Sequence, residues 1–179
     1  FKNCSSLKTI KLPEKVTSTG NYTFYGCSVI ESVELPDSLL TIGTELFNGC
    51  TSLKEFTSGA SVTEIPMRTF YNCTSLKTVK LSSSLKSISE YAFYNCSQLQ
   101  SIVIPERIET IKSYAFYGCY LLGDIYYEGN NVEWQLLTKA SGWDYSVGSK
   151  TENGTYEVHF IKGYETKGNC GENLTWEFF

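Results

Sequence analysis

Phe1, Phe24, Phe47, Phe70, Phe93 and Phe116 stand 23 residues apart. Cys4, Cys27, Cys50, Cys73, Cys96 and Cys119 keep the same spacing. So do Leu7, Ile30, Leu53, Leu76, Leu99 and Leu122, and then Ile10, Val33, Phe56, Val79, Ile102 and Ile125. Four columns in one register, with no insertion or deletion, leave few options for the fold. A fixed period of this length means a solenoid, in which each unit buries its apolar side only by stacking on its neighbours.

Residues 99–121, LQSIVIPERIETIKSYAFYGCYL, show what one unit asks for. Ile102 and Ile104 are two apart in a β-rich run, so they face the same way in a strand. Pro105 ends that strand because it has no N–H to give a neighbour. Pro13, Pro36, Gly59 and Ser82 stand in the same column. Ile108 and Ile111 follow three apart, a spacing that suits a tight turn folding back over the strand. Ala115 and Phe116 then fill the space between layers, and a helical turn is expected to present them. The residue before the cysteine is Gly or Asn, both tolerant of positive φ. Thr19, Thr23, Thr69 and Ser58 stand where other repeats have apolar residues or alanine, so Ser58 in particular predicts a less well packed layer.

Composition limits the function. A formal charge of −4 and a pI near 5.1 disfavour nucleic-acid binding, which needs a concentrated basic face. No apolar run approaches the roughly 20 residues of a membrane span, so no membrane insertion is expected. The chain opens in mid-repeat at FKNCSS, which reads as part of a longer protein. Seven cysteines resemble a disulfide set. Six of them, however, occupy equivalent sites with parallel Cβ vectors, which do not face each other, so reduced, buried thiols are expected. No metal site is expected, since the cysteine spacing is wrong and His159 is the only histidine. No nucleotide-binding motif or cofactor site is present either.

The pattern LxxIxLPxxLxxIxxxAFxxC, carried by LQSIVIPERIETIKSYAFYGC and LKTVKLSSSLKSISEYAFYNC, resembles the BspA-like leucine-rich repeat family of bacterial surface proteins. The fold class expected is therefore α/β repeat: a right-handed leucine-rich-repeat solenoid of 23-residue repeats with short parallel strands and a C-terminal cap. The solenoid is assigned to residues 1–127, a capping segment to 128–162, and a linker with the start of a truncated following module to 163–179. The resemblance implies a secreted or cell-surface location and an adhesion role toward a host or bacterial surface protein, or a glycan. The alternative is a structural spacer within a larger surface protein. Neither reading involves catalysis, and the sequence does not fix the oligomeric state.

Two candidate surfaces follow from the repeat. Outward strand positions form one column through Thr9, Ser32, Glu55, Thr78, Ser101 and Asp124, and a second through Lys11, Glu34, Thr57, Lys80, Val103 and Tyr126. In solenoids such residues line a concave sheet, the usual binding face. Lys11 beside Glu34 reads as a cross-strand pair. Tyr25, Tyr71, Tyr94 and Tyr117 follow the repeat phenylalanine, with Asn48 at the gap, while Tyr22, Tyr91 and Tyr114 precede it by two. These columns are either a contact surface for protein or glycan, or rings that each cover a neighbour's core with the hydroxyl left in water. Asn-x-Ser/Thr at Asn3, Asn72 and Asn95 coincides with the turn position and reads as turn chemistry.

After Tyr126 the pattern breaks. A short helix is expected near Val132–Lys139 with Asn130 or Asn131 as N-cap, and Trp134, Leu136 and Leu137 closing the open end. Trp143, Asp144 and Tyr145 read as loop, and residues 155–161, TYEVHFI, as a strand. YYEGNNVEWQLL with EVHFI also resembles the closing unit of BspA-like repeats. Catalytic readings are weak. His159 lies outside the cysteine column, and Glu128, Glu133 and Asp144, beside Trp134 and Trp143, are the only acids with aromatic neighbours that could form a carboxylate pair.

Overall fold

The computed structural model describes residues 1–148 and 156–162. The strands predicted from the alternating apolar positions are present, joined by short ones that the spacing does not predict, and all pair in parallel. They are β1 (Ile10–Lys11), β2 (Ser32–Glu34) and β3 (Glu55–Thr57), a second short strand in the third turn, β4 (Glu64–Ile65), then β5 (Thr78–Lys80), β6 (Ser87–Ile88), β7 (Ser101–Ile104), β8 (Thr110–Ile111) and β9 (Asp124–Tyr127). After a helix, α1 (Asn131–Leu136), come β10 (Thr138–Lys139) and β11 (Glu157–Phe160).

The first strands of successive turns form the main ladder, β1-β2-β3-β5 and then β7-β9-β11, with β5 and β7 side by side. Register follows the repeat: Val33 pairs with Phe56, Phe56 with Val79, and Ile102 with Ile125. Those apolar partners are buried, and their strand neighbours face solvent.

The second apolar pair of each repeat does more than fold back. Ile65, Ile88 and Ile111 sit in β4, β6 and β8, which build a second parallel ladder with β10. Two-residue strands give too short an alternation to be seen as a strand in the sequence. The third side also departs from expectation, because the segment around Phe93 is not a helical turn. Tyr91 and Asn95 have positive φ, at 58° and 58°, which breaks a right-handed helix twice in five residues. The amides of Tyr91, Phe93 and Asn95 donate instead to the carbonyls of Ser113, Ala115 and Tyr117 on the next turn, at 3.2, 2.7 and 2.7 Å. Most turns are thus bonded to the next on all three sides; the main ladder is interrupted between β5 and β7, and the second ladder begins at β4.

The core is a ladder of rings. Phe1, Phe24, Phe47, Phe70, Phe93 and Phe116 stack in succession, with centroids 5.0–5.8 Å apart. Phe56 meets Phe70 edge-on at 4.6 Å. The predicted misfits are absorbed locally. Buried Thr69 donates its hydroxyl to the Pro66 carbonyl at 2.7 Å, and Ser58 donates to Gly59. Gly59 is required by crowding: a Cβ there would lie 2.0 Å from the Pro36 carbonyl oxygen.

The cysteines of the repeat are free, and all but Cys4 are buried. Each buried thiol donates to the carbonyl of the phenylalanine one turn earlier, Cys73 to Phe47 and Cys96 to Phe70 at 3.1 and 3.2 Å. Burial raises the Cys50 thiol to about 12 and holds Cys73 and Cys96 well above the usual thiol range. Cys170 and the segment 163–179 lie outside the described residues.

The chain keeps the geometry of a turn past residue 127, at a spacing of 28 residues where the repeats have 23. Thr110 pairs with Thr138, and Phe116 donates its amide to the Trp143 carbonyl. Gly142 and Ser146 take the positive φ of Tyr114 and Gly118, and Val147, fully buried, takes the place of Cys119. The added residues hold α1. Asn130 is its N-cap, in a reciprocal capping box with Glu133. Trp134 and Leu137 are buried, as expected of residues closing the end of a solenoid. Leu136 is not among them: it is 78% exposed, because a six-residue helix has a single inward face and Leu136 lies off it.

Candidate interaction surfaces

The tyrosine columns come together along the third side of the solenoid. Tyr71, Tyr94 and Tyr117 stack face to face at 4.6 and 4.7 Å, with interplanar angles of 5° and 7°. Tyr145 extends the stack at 5.2 Å and 1°. Its place could not be read from the sequence, because the longer final turn puts it out of the 23-residue register. The neighbouring column pairs Tyr91 with Tyr114 at 5.4 Å, and the Arg68 guanidinium lies 5.4 Å from the Tyr91 ring and 5.9 Å from that of Tyr71.

Tyr25 is not part of this stack. Asn48 occupies the intervening turn, buried and bonded to the Glu45 carboxylate at 2.8 Å. Tyr25 instead meets Tyr22 edge-on, with the Lys2 ammonium about 5 Å from both rings, at 5.1 and 5.2 Å.

The stacking decides what a partner would meet. Face-to-face rings spend their π faces on each other, so the outer surface offers ring edges and a row of hydroxyls. Burial, and then the neighbouring tyrosines, push the Tyr94 hydroxyl above its ordinary value, so at neutral pH it stays protonated and can donate. Sequence reasoning missed the backbone here. Tyr22, Glu45, Arg68, Tyr91 and Tyr114, the residues two before each phenylalanine, all have positive φ between 54° and 59°. Bulky residues avoid this region, and the turn-to-turn hydrogen bonds hold them in it.

The main-sheet face carries the other candidates. Thr9, Glu34, Glu55, Thr78, Lys80, Ser101 and Tyr126 are exposed, and Asp124 is half-buried. Glu55 stands opposite Thr78, and Ser101 opposite Asp124. Lys11 and Glu34 are register partners, yet among the described residues no ion pair joins them. The Lys54–Glu31 pair between turns, at 2.7 Å, is solvated at both ends, whereas the Glu45 end of the Arg68–Glu45 pair is largely buried. At its C-terminal edge this face holds His159, whose Nε2 lies 2.7 Å from Asp124 Oδ1 and whose ring stacks on Tyr126 at 4.7 Å.

Of the residues weighed for catalysis, the buried thiols, Glu133 and Asp144 are engaged otherwise. The repeat thiols inside the solenoid donate to backbone carbonyls, away from His159 on the sheet face. Glu133 caps α1, and Asp144 accepts the Tyr156 hydroxyl at 2.7 Å. Asn72 and Asn95, sequon residues, pair with each other at 2.9 Å as a two-step amide ladder. A groove of about 480 Å³ beside α1 is lined by Glu106, Glu109, Tyr127, Glu133, Leu136 and Leu137, residues of three separate segments.

The chain matches the BspA type leucine rich repeat region in six copies over residues 1–123. No curated protein matches it. Among solved structures it is similar to a leucine rich cell surface protein from Faecalibacterium prausnitzii A2-165, at 32% identity and TM-score 0.70, covering 72% of this chain and 34% of that one. It is similar to a leucine-rich repeat protein from Eubacterium ventriosum ATCC 27560, at 27% identity and TM-score 0.68, covering 93% and 41%. It is also similar to a leucine rich repeat protein of T. pallidum, at 28% identity and TM-score 0.61, covering 71% and 63%. The chain thus spans between about a third and two thirds of the length of these neighbours. With the period, the parallel ladders and the six matched copies in agreement, the chain belongs to the BspA-type leucine-rich repeat family.

Proposed function

We propose that this chain is a non-catalytic interaction module of a secreted or surface-displayed protein, and that it docks a protein partner along its tyrosine edge. The observation that carries the reading is the stack of Tyr71, Tyr94, Tyr117 and Tyr145. Rings already locked against each other lose little conformational freedom on binding, and their hydroxyl row can donate to a partner's backbone carbonyls. The same stacking favours a protein over a glycan. Sugars bind tyrosine through the open ring face, and within the stack the facing ring surfaces are covered. The resemblance to a leucine rich cell surface protein supports surface display. No helix among the described residues is long and apolar enough to cross a membrane.

The test is a host-protein and glycan array probed with this chain and with the triple variant Tyr71→Ala/Tyr94→Ala/Tyr117→Ala. The expected result is a protein signal that the variant loses while its far-UV spectrum is kept. A signal retained by the variant moves the site to the main-sheet face, with Glu34, Glu55, Lys80 and Tyr126 next to be changed. A glycan signal lost in the variant overturns the choice of partner. A blank array supports the spacer reading, in which the tyrosines only cover the core.

A further inference from the structure

Asp124 and Glu157 face each other directly across β9 and β11. Like charges opposed on neighbouring strands repel. Among the described residues, no lysine or arginine forms an ion pair with either carboxylate; their one partner is His159, 2.7 Å from Asp124 Oδ1 and 3.9 Å from Glu157 Oε2. The Tyr126 ring, stacked on the imidazole at 20°, fixes its plane with Nε2 toward the carboxylates. One donor atom from each of the three residues lies within 4.8 Å of the other two.

We propose that Asp124, Glu157 and His159 form a binding site for a divalent transition-metal ion of the Zn²⁺ class. One imidazole nitrogen with two carboxylate oxygens suits such an ion, whereas Ca²⁺ asks for six or more oxygens. Bond lengths near 2.0–2.2 Å put donors about 3.4 Å apart around a tetrahedral ion. The 2.7 Å contact would open slightly and the 3.9 Å contact close slightly. Glu157, with an 81% exposed side chain, can swing without moving the strand. Three protein ligands leave one position open toward the main-sheet face. The cation would also neutralise the opposed carboxylates. The sequence disfavours a metal site because it has one histidine and no ligand spacing. The site exists only because β11, which is not a repeat strand, pairs in register with β9.

The experiment is calorimetric titration of the whole chain with ZnCl₂, then CaCl₂, alongside His159→Gln, Glu157→Gln and the distant control Glu109→Gln. One saturable Zn²⁺ site is expected, weakened about tenfold or more in the first two variants and unchanged in the control. Ca²⁺ should not compete. Thermal midpoints of the metal-free variants check that they fold. A Co²⁺ spectrum of the wild-type chain gives a second readout: oxygen and nitrogen ligation supports the site. A sulfur-to-cobalt charge-transfer band would place the ion on a thiol such as exposed Cys4 and overturn the proposal. So would the absence of saturable Zn²⁺ binding, or wild-type affinity in His159→Gln.

Discussion

The column of residues before the repeat cysteine shows how single side chains are chosen in this array. Asn3, Gly26, Gly49, Asn72, Asn95 and Gly118 all have positive φ. Glycine enters that region without strain, and asparagine enters it with a small cost. Asn72 also accepts a hydrogen bond from Asn95. Replacing it by alanine should therefore cost about 1–2 kcal/mol, the sum of left-handed strain and the lost amide bond. Replacement by glycine should cost less, since glycine removes the strain and forfeits only the amide bond. Chemical denaturation of N72A and N72G would show the difference, and equal midpoints would mean that φ does not constrain this site. The Gly/Asn preference was legible in the sequence. The five positive-φ residues two before each phenylalanine were not, because Tyr, Glu and Arg advertise no such conformation; only the turn-to-turn hydrogen bonds impose it.

Among the elements, the phenylalanine ladder and the tyrosine stack are built by the same repeat but differ in what they bury. Phe70 is fully enclosed, with Phe47 and Phe93 on its two faces and Phe56 at its edge. Phe1 is 71% exposed and has a partner on one face. F70A should thus cost about 3–5 kcal/mol, whereas F1A should cost less than about 1 kcal/mol, the worth of one ring pair. Urea unfolding of both variants checks this; a similar loss in each would contradict the ladder as the source of core stability. The main strands, the buried columns and a helix cap at Asn130 or Asn131 could be read from apolar spacing and turn chemistry, and the structure selects Asn130. The second sheet could not, because two residues are too few to show alternation. The Tyr145 contact escaped because the final turn is five residues longer than the rest, which erases the register on which every other assignment rests.

At the scale of the whole molecule, the repeat thiols stack along one line, and this makes stability sensitive to alkali. Cys27, Cys50, Cys73 and Cys96 are raised by burial, as are Tyr94, Tyr127 and Tyr156. A group whose folded value lies above its unfolded one keeps its proton in the native state after the unfolded chain has lost it. Stability is then full below the unfolded value and falls as pH rises beyond it. Lys139 is shifted down by burial and acts in the opposite sense, but it is one group against seven. For thiols the fall starts near pH 8.5, at about 1.4 kcal/mol per pH unit per buried group. Cys50, Cys73 and Cys96 are all shifted the same way, so their losses accumulate above that pH. The exposed ion pairs contribute little on the acid side. The urea midpoint should therefore hold near neutrality and drop steeply from pH 8.5 to 10.5, with a shallower slope in Cys73→Ala. Alkylation should follow the same course, with the buried repeat cysteines unreactive in the native state at pH 7.5 and all modified, without cross-links among them, in denaturant. A midpoint that stays flat to pH 10, or a disulfide between two repeat cysteines, would mean that the column is not a file of protonated, buried thiols.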